Sequence, residues 1–205
     1  MPRMPGMNPT SKTPPVARPA SASRAIADFP DQAAKAAEFL AQRLPSFALS
    51  PEEAASIVSL MILVRFPAGT TVFSAGDASN TGYMLLVLEG DVSVDTGSSG
   101  SGPKVDISVL GPGSLIGEMA LIDGAPRSAT CTAVSVVTAA GLSAGGLQRL
   151  TMTHPQVAIK LAIFIARNAA ERLRALSEQL QMYDQLTVSM QKEIDQLRMA
   201  AKQKS

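Results

Sequence analysis

The C-terminal segment of the chain, from about Gln156 to Ala200, contains neither glycine nor proline. Because these two residues interrupt helices, their absence over so long a stretch predicts one continuous helix. At about 1.5 Å per residue, a straight helix of this length would extend ~67 Å. Such a helix cannot lie entirely on one small domain, so its distal half needs another partner.

An apolar seam runs along the distal part of this helix. Its members alternate steps of three and four residues, which is the a/d pattern of a coiled coil with Thr187 as the one polar member. The seam consists of Leu173, Leu176, Leu180, Tyr183, Thr187, Met190, Ile194 and Leu197. Packing on the chain's own domain is an alternative for Leu161 to Ile165 but not for the distal half. The pattern therefore predicts a homodimer formed by two such helices.

Short apolar runs separated by glycines fill the middle of the chain from Val64 onward. Tyr83 to Leu88 and Val92 to Val94 lie between turn residues, and Ala129 to Leu142 supplies more strand. Short strands at regular spacing predict an antiparallel, jelly-roll-like β-roll. The predicted fold class is therefore α+β, with N-terminal helices flanking the roll and the long C-terminal helix forming a dimeric coiled coil.

Two helices are predicted before the roll. The first lies near Asp31 to Leu44, a stretch rich in alanine and other strong helix formers. The second begins at Ser50, which has the pattern of an N-cap, with Pro51 at the first helical position and Glu53 closing a capping box. We expect this second helix to end at about Leu60.

These patterns divide the chain into four parts. Residues 1–24 are a Pro-, Ser- and Ala-rich tail without periodicity, which is typical of disorder. Residues 25–49 are a helical extension, residues 50–155 the β-roll, and residues 156–205 the dimerisation helix. Within the roll, the Gly- and Ser-rich run from Thr96 to Pro103 predicts a flexible hairpin loop to which we assign no chemistry.

Composition excludes several classes of protein. The formal net charge of +1 argues against a strongly basic nucleic-acid binder. The single cysteine, Cys131, excludes an intramolecular disulfide and a thiolate-rich metal site, and its apolar neighbours predict a buried small side chain. No apolar run has the length of a membrane span or a leader peptide, so we expect a cytoplasmic protein.

The sequence offers no catalytic constellation. The one histidine, His154, precedes Pro155 at the start of the long helix, which favours a turn or cap role over that of a general base or haem ligand. No second histidine or cysteine and no paired carboxylates are spaced to complete a catalytic or metal site. We therefore expect neither an enzyme nor a cofactor.

The residues that carry recognisable chemistry lie between Gly117 and Thr130. Gly117 permits close approach of the backbone to a ligand, and the amides after it would face an anion if Met119 to Leu121 open a helical turn. The Arg127 guanidinium suits two phosphate oxygens, whereas Glu118 suits a sugar hydroxyl. Together they predict a ribose phosphate. A surface turn without a ligand is the alternative, but a partly buried guanidinium without an anion would be costly.

Two short segments resemble the phosphate-binding cassette of cyclic nucleotide-binding domains. The segments are Gly117-Glu118-Met119-Ala120-Leu121 and Pro126-Arg127-Ser128-Ala129-Thr130. This family includes the catabolite activator protein, the regulatory subunit of protein kinase A and cyclic-nucleotide-gated channels, and the resemblance covers Ser50 to about Leu176. It implies dimerisation through the long helix, as in the activator proteins.

The resemblance also implies a role for each cassette residue. Glu118 would bind the ribose 2′-hydroxyl. The amides of Met119 and Ala120 would bind the exocyclic phosphate oxygens together with Arg127, and Ser128 would add a hydroxyl near the phosphate and base.

The identity of the base is open at this point. The resemblance places the base-capping region around Asn168 to Leu173, where Asn168 and Arg172 lie one helical turn apart. The hydroxyl pair of the activator protein is not reproduced there. We expect cyclic AMP as the ligand, with cyclic GMP and a cyclic dinucleotide as alternatives.

The expected output is a protein contact. In the transcription factors of the family a helix-turn-helix follows the long helix, whereas no recognition helix follows Ala200. We therefore expect a stand-alone receptor that acts on an unidentified protein effector, without DNA or membrane contact. Two alternatives remain: a DNA-associated regulator that uses the basic tail, and a structural dimer whose cassette no longer binds.

Overall fold

The computed structural model describes residues 24–41, 48–96 and 107–203. The predicted N-terminal tail up to residue 23, the chain after residue 41 in the first predicted helix, and the predicted hairpin loop beyond Thr96 lie outside these ranges. The elements in chain order are β1 (Arg24–Ala25), α1 (Pro30–Ala41), α2 (Pro51–Val58), β2 (Ile62–Phe66), β3 (Thr71–Phe73), β4 (Tyr83–Glu89), β5 (Val92–Asp95), β6 (Ile107–Leu110), β7 (Leu115–Ile116), α3 (Glu118–Asp123), β8 (Thr130–Ala133), β9 (Val137–Ser143), α4 (Ala144–Thr153) and α5 (Pro155–Gln203).

The strands form two antiparallel sheets. The first has the order β1-β2-β9-β4-β7 and the second has the order β3-β8-β5-β6. The predicted strand region from Ala129 to Leu142 is divided between them, because β8 pairs in the second sheet and β9 in the first. Antiparallel sheets joined in this way agree with the predicted β-roll.

One apolar core lies between the two sheets. It includes Val64, Leu85 and Val87 from the first sheet and Phe73 and Val92 from the second, all of them buried. Cys131 belongs to the same core, as its apolar neighbours predict. On β4 the alternate residues Met84, Leu86 and Leu88 are also fully buried, so this strand is covered on both faces.

The helices before the roll begin largely as the sequence predicts. Ser50 is the N-cap of α2, its hydroxyl accepts a hydrogen bond from the Glu53 amide, and the Glu53 carboxylate accepts one from the Ser50 amide. This confirms the predicted capping box with Pro51 at the helix start. The prediction of a disordered tail is wrong for its last residue, because Arg24 and the first residue of the extension, Ala25, pair with Leu63 and Ile62 as an edge strand.

The chain forms two compact units, Met1–Lys160 and Leu161–Ser205. The first contains both sheets, α1 to α4 and the first residues of α5. The second consists of the rest of α5, which confirms the predicted uninterrupted helix. His154 is the C-cap of α4, and its amide donates to the Leu150 carbonyl, so the predicted cap role is confirmed.

Candidate functional site

The cassette begins with a left-handed glycine. Gly117 has φ 75° and ψ 10° and is the N-cap of the short helix α3, so the predicted helical turn after it is confirmed. A Cβ atom at this position would lie 2.6 Å from Arg127 Nη1 and 2.8 Å from the Phe73 ring. Glycine is therefore required here for two reasons, the left-handed backbone angle and the close approach of Arg127.

The Arg127 side chain is buried, with 3% of its surface exposed. Its Nε donates to the Asn80 carbonyl at 2.9 Å, its Nη1 to the Gly117 carbonyl at 2.7 Å, and its Nη2 to the Tyr83 carbonyl at 2.8 Å. Nη2 also donates to Asn80. The Cζ atom lies 3.9 Å from the centre of the Phe73 ring. We call Phe73, Asn80, Tyr83 and Gly117 the Arg127 cradle.

The backbone of Arg127 is fixed by the turn after β3. The Gly76 amide donates to the Arg127 carbonyl at 2.8 Å, and the Arg127 amide donates to the Asp77 carbonyl at 3.0 Å. Asp77 in turn accepts from the amide and hydroxyl of Ser79, which closes the turn. The position of Arg127 is thus set through both its main chain and its side chain.

Burial and neighbouring charges shift the pKa of the Arg127 guanidinium in opposite directions. Burial lowers the pKa of its guanidinium, and the nearby carboxylates of Asp77 and Glu118 partly offset that effect. The pKa of Asp77 is itself lowered, mainly by its hydrogen bonds from Ser79 and also by the charge of Arg127. Burial raises the pKa of the Tyr83 hydroxyl. A charged guanidinium therefore lies in a largely desolvated setting.

The other cassette residues surround α3. Glu118, its first residue, is buried, with 1% of its surface exposed, and Ala120 is also buried. Met119 is half-exposed, and the exposed Ser128 directs its hydroxyl to the Met119 sulfur at 3.9 Å. The structure thus brings together the six predicted residues of the cassette: Gly117, Glu118, Met119, Ala120, Arg127 and Ser128.

The two remaining predicted site residues belong to the second unit. Asn168 and Arg172 lie one turn apart on α5, and the Asn168 amide group donates to the Phe164 carbonyl of its own helix at 2.8 Å. The structure describes this unit by itself. A ligand contact by either residue therefore stays a prediction.

Sequence reasoning missed most of the Arg127 cradle. Asn80 and Tyr83 bind the guanidinium through their main-chain carbonyls. Because every residue has such a carbonyl, no pattern of residue types predicts these contacts. Gly76 and Asp77, which fix the backbone of Arg127, have only the sequence pattern of a turn. Phe73 and Tyr83 pack with their ring centres 5.3 Å apart, and in the sequence they are ordinary strand residues.

No metal site accompanies the cassette within residues 24–41, 48–96 and 107–203. No three side chains of His, Cys, Asp or Glu type in those ranges are grouped to hold an ion. In the same part of the chain, no helix combines the length and the apolar character that crossing a membrane requires.

Comparison with known proteins identifies the domain. A family profile described as "Cyclic nucleotide-binding domain" matches residues 63–154. The cyclic AMP receptor protein of Thermus thermophilus is 34% identical over 60% of this chain and 56% of its own length. A cyclic nucleotide-gated potassium channel of Mesorhizobium japonicum is 36% identical over 54% of this chain and 28% of its own. This chain therefore spans little more than half of the receptor and a smaller part of the channel.

A solved structure supports the same assignment. The crystal structure of a cyclic nucleotide-binding domain from Methylobacillus flagellatus matches this fold with a TM-score of 0.64 at 29% identity. The match covers 71% of this chain and 80% of that one. The chain therefore contains a cyclic nucleotide-binding domain, which the family match places at residues 63–154.

Proposed function

We propose that this chain is a receptor for a cyclic nucleotide, with cyclic AMP as the ligand. The observation that carries the proposal is the buried Arg127 guanidinium held beside Gly117 and the start of α3. A phosphate that accepts from Arg127 and from the amides of Met119 and Ala120 would supply the negative charge that this desolvated cation favours. The buried Glu118 would accept from the ribose 2′-hydroxyl.

The choice of base depends on a relative and not on the geometry of the cassette. Cyclic AMP is favoured because one relative is named a cyclic AMP receptor protein. Ser128 is exposed and free to turn toward either the phosphate or a purine, so cyclic GMP and a cyclic dinucleotide are the second candidates. We propose Asn168 and Arg172 on α5 as the base contacts.

A calorimetric titration of the full chain tests the ligand directly. The panel contains cyclic AMP, cyclic GMP, cyclic di-GMP and, as a control without the cyclic phosphate, 5′-AMP. We expect saturable binding of cyclic AMP with one site per chain and weaker binding of the other ligands. If no member of the panel binds, the cassette is retained for packing and the chain is a structural dimer.

We further propose that the receptor is a homodimer joined through α5. The seam residues described in the second unit are exposed: Leu173 by 66%, Leu176 by 45%, Leu180 by 65%, Tyr183 by 43%, Met190 by 55% and Ile194 by 41%. The side chain of Leu197 is outside the described set. So many exposed apolar side chains in one stripe favour burial against a partner, and the a/d spacing favours a second copy of the same helix.

The polar seam member is compatible with this burial. The Thr187 hydroxyl donates to the Tyr183 carbonyl of its own helix at 2.8 Å. Because its donor is already satisfied, Thr187 would not leave an unpaired hydrogen in the interface. Thr187 therefore tolerates an a position at little cost.

The proposed output is regulatory rather than catalytic. We propose a protein effector in the cytoplasm. DNA is the less favoured partner, because the net charge of +1 gives little electrostatic attraction to it. A gel-shift assay with duplex DNA at physiological salt addresses the rival class of DNA-associated regulator. A shifted band that disappears in the Arg127→Ala variant would favour that rival.

A further inference from the structure

The first residues of α5 are tied to the N-terminus of α2 by one ion pair. Lys160 Nζ lies 2.7 Å from both carboxylate oxygens of Glu53 and donates to the Ala48 carbonyl at 3.2 Å. The two charged residues are 107 positions apart in sequence and both belong to the first compact unit. The contact therefore joins the helix before the β-roll to the helix after it.

The same carboxylate also caps α2. Glu53 Oε2 accepts from the Ser50 amide at 2.8 Å, while the Ser50 hydroxyl accepts from the Glu53 amide at 3.2 Å. The pKa of Glu53 is lowered, first by the hydrogen bond from Lys160 and then by that from Ser50. The Glu53 carboxylate thus caps the N-terminus of α2 and also binds Lys160 near the start of α5.

The geometry distinguishes this contact from the other ion pairs of the described ranges. Lys35 and Glu89 approach only to 3.3 Å and are more exposed, at 38% and 47% against 29% and 24% for Lys160 and Glu53. Arg167 and Glu171 lie within a single helix.

We propose that Lys160 and Glu53 form a salt-sensitive clasp that makes the N-terminus of α2 and the start of α5 loosen together. Opening the pair removes the cation from Glu53 and frees its carboxylate to leave Ser50, so both helix starts lose support at once. The clasp is a regulatory device beyond nucleotide binding, and it does not depend on the proposed function.

Ionic strength is expected to set the strength of the clasp. Both side chains are partly exposed, and screening shortens the Debye length from about 14 Å at ~0.05 M salt to about 3 Å at ~1 M. The direct hydrogen bonds between Lys160 and Glu53 limit this effect but do not remove it. A cell or compartment with high salt would therefore hold the two helix starts less firmly.

Two backbone amides report on the clasp. The Ala54 amide donates to the Ser50 carbonyl in the first turn of α2, and the Ala158 amide donates to the His154 carbonyl in the first turn of α5. Hydrogen exchange of both amides is measured by NMR on the full chain without ligand. Lys160→Met keeps most of the side-chain volume and removes the charge, and Lys35→Met applies the same change to the looser pair.

We expect Lys160→Met to speed exchange at both reporters by about two- to fivefold, the factor expected for a partly exposed ion pair near the upper end of its range. Glu53→Gln should speed exchange at Ala158 by a similar factor and at Ala54 by a smaller one, because the side-chain amide oxygen of the new glutamine can still accept from the Ser50 amide. Raising salt should speed both reporters in the wild type and neither in Lys160→Met.

Two results would overturn the clasp. One is faster exchange at Ala158 alone in Lys160→Met, which would show that the helix starts are independent. The other is equal exchange in Lys160→Met and Lys35→Met at both reporters. Neither result depends on nucleotide binding, so failure of the clasp and failure of the proposed function are separable.

Discussion

Arg127 combines deep burial with a full positive charge. Carbonyl groups, the Phe73 and Tyr83 rings and the nearby carboxylates of Asp77 and Glu118 all stabilise the cation, yet the direction of its pKa shift is downward. Desolvation therefore outweighs the favourable charge interactions of the guanidinium with groups such as Asp77 and Glu118. An anion placed beside the guanidinium would offset the remaining cost, which is why this one residue favours a phosphate ligand.

The first prediction concerns the guanidinium itself. Arg127→Ala should weaken binding of cyclic AMP by at least ~2 kcal/mol, because the buried phosphate would lose its charged partner. Arg127→Lys should recover part of the loss, since it restores the charge without the planar fork. Calorimetry measures both affinities, and thermal unfolding shows whether the variants fold. A folded Arg127→Ala protein with wild-type affinity would contradict the cassette assignment.

The second prediction compares two glycines with similar backbone angles at the ends of α3. Gly117 and Gly124 have φ of 75° and 68°, but a Cβ atom at Gly124 meets no atom within 4 Å. Gly124→Ala should therefore cost about 1 kcal/mol of unfolding free energy from backbone strain alone. Gly117→Ala should cost about 1–3 kcal/mol more, because Arg127 or Phe73 must move.

Urea unfolding of both variants measures this difference. Calorimetry should then show weaker nucleotide binding in Gly117→Ala and nearly unchanged binding in Gly124→Ala. Equal losses of stability would mean that the close approach of Arg127 to Gly117 is not required.

At the scale of secondary structure, elements with local signals could be predicted and those made by pairing could not. The capping box at Ser50, the helix after Gly117 and the uninterrupted α5 all depend on neighbouring residues and could be predicted from the sequence. The edge strand Arg24–Ala25 exists because it pairs with β2, and two residues carry no periodicity. Most of the Arg127 cradle escaped prediction for the same reason, since the carbonyls of Asn80 and Tyr83 come from residues distant in sequence.

The third prediction tests the cap of α2. Ser50→Ala removes the hydroxyl that accepts from the Glu53 amide and should lower the unfolding free energy by about 1 kcal/mol. Ser56→Ala is the matched control on the same helix, because the Ser56 hydroxyl only donates back to the Glu52 carbonyl. That change should stay within about 0.5 kcal/mol. Equal effects in urea unfolding would show that the cap contributes nothing specific.

At the scale of the whole molecule, the two compact units carry different kinds of surface. The first buries an apolar core between its sheets and presents the cassette. The second exposes a stripe of large apolar residues that a single copy of the chain leaves in contact with water. Exposure of such an apolar stripe to water is unfavourable, so the homodimer is part of the proposed function.

The last prediction places charge in the seam. Leu180 and Ile194 occupy a positions, where Leu180→Asp with Ile194→Asp would bury two carboxylates from each chain of a dimer beside their symmetry mates. Because unpaired buried charges are strongly unfavourable, we expect the double variant to sediment as a monomer at concentrations where the wild type is a dimer.

The matched control is Gln181→Asp with Gln185→Asp, which adds the same charge at exposed positions outside the seam and should leave the dimer intact. Circular dichroism would show whether the charged helix loses helicity when it loses its partner, as expected for a long helix whose stability comes from packing. A seam variant that still sediments as a dimer would mean that the copies associate elsewhere, and the exposed stripe on α5 would then need a different occupant.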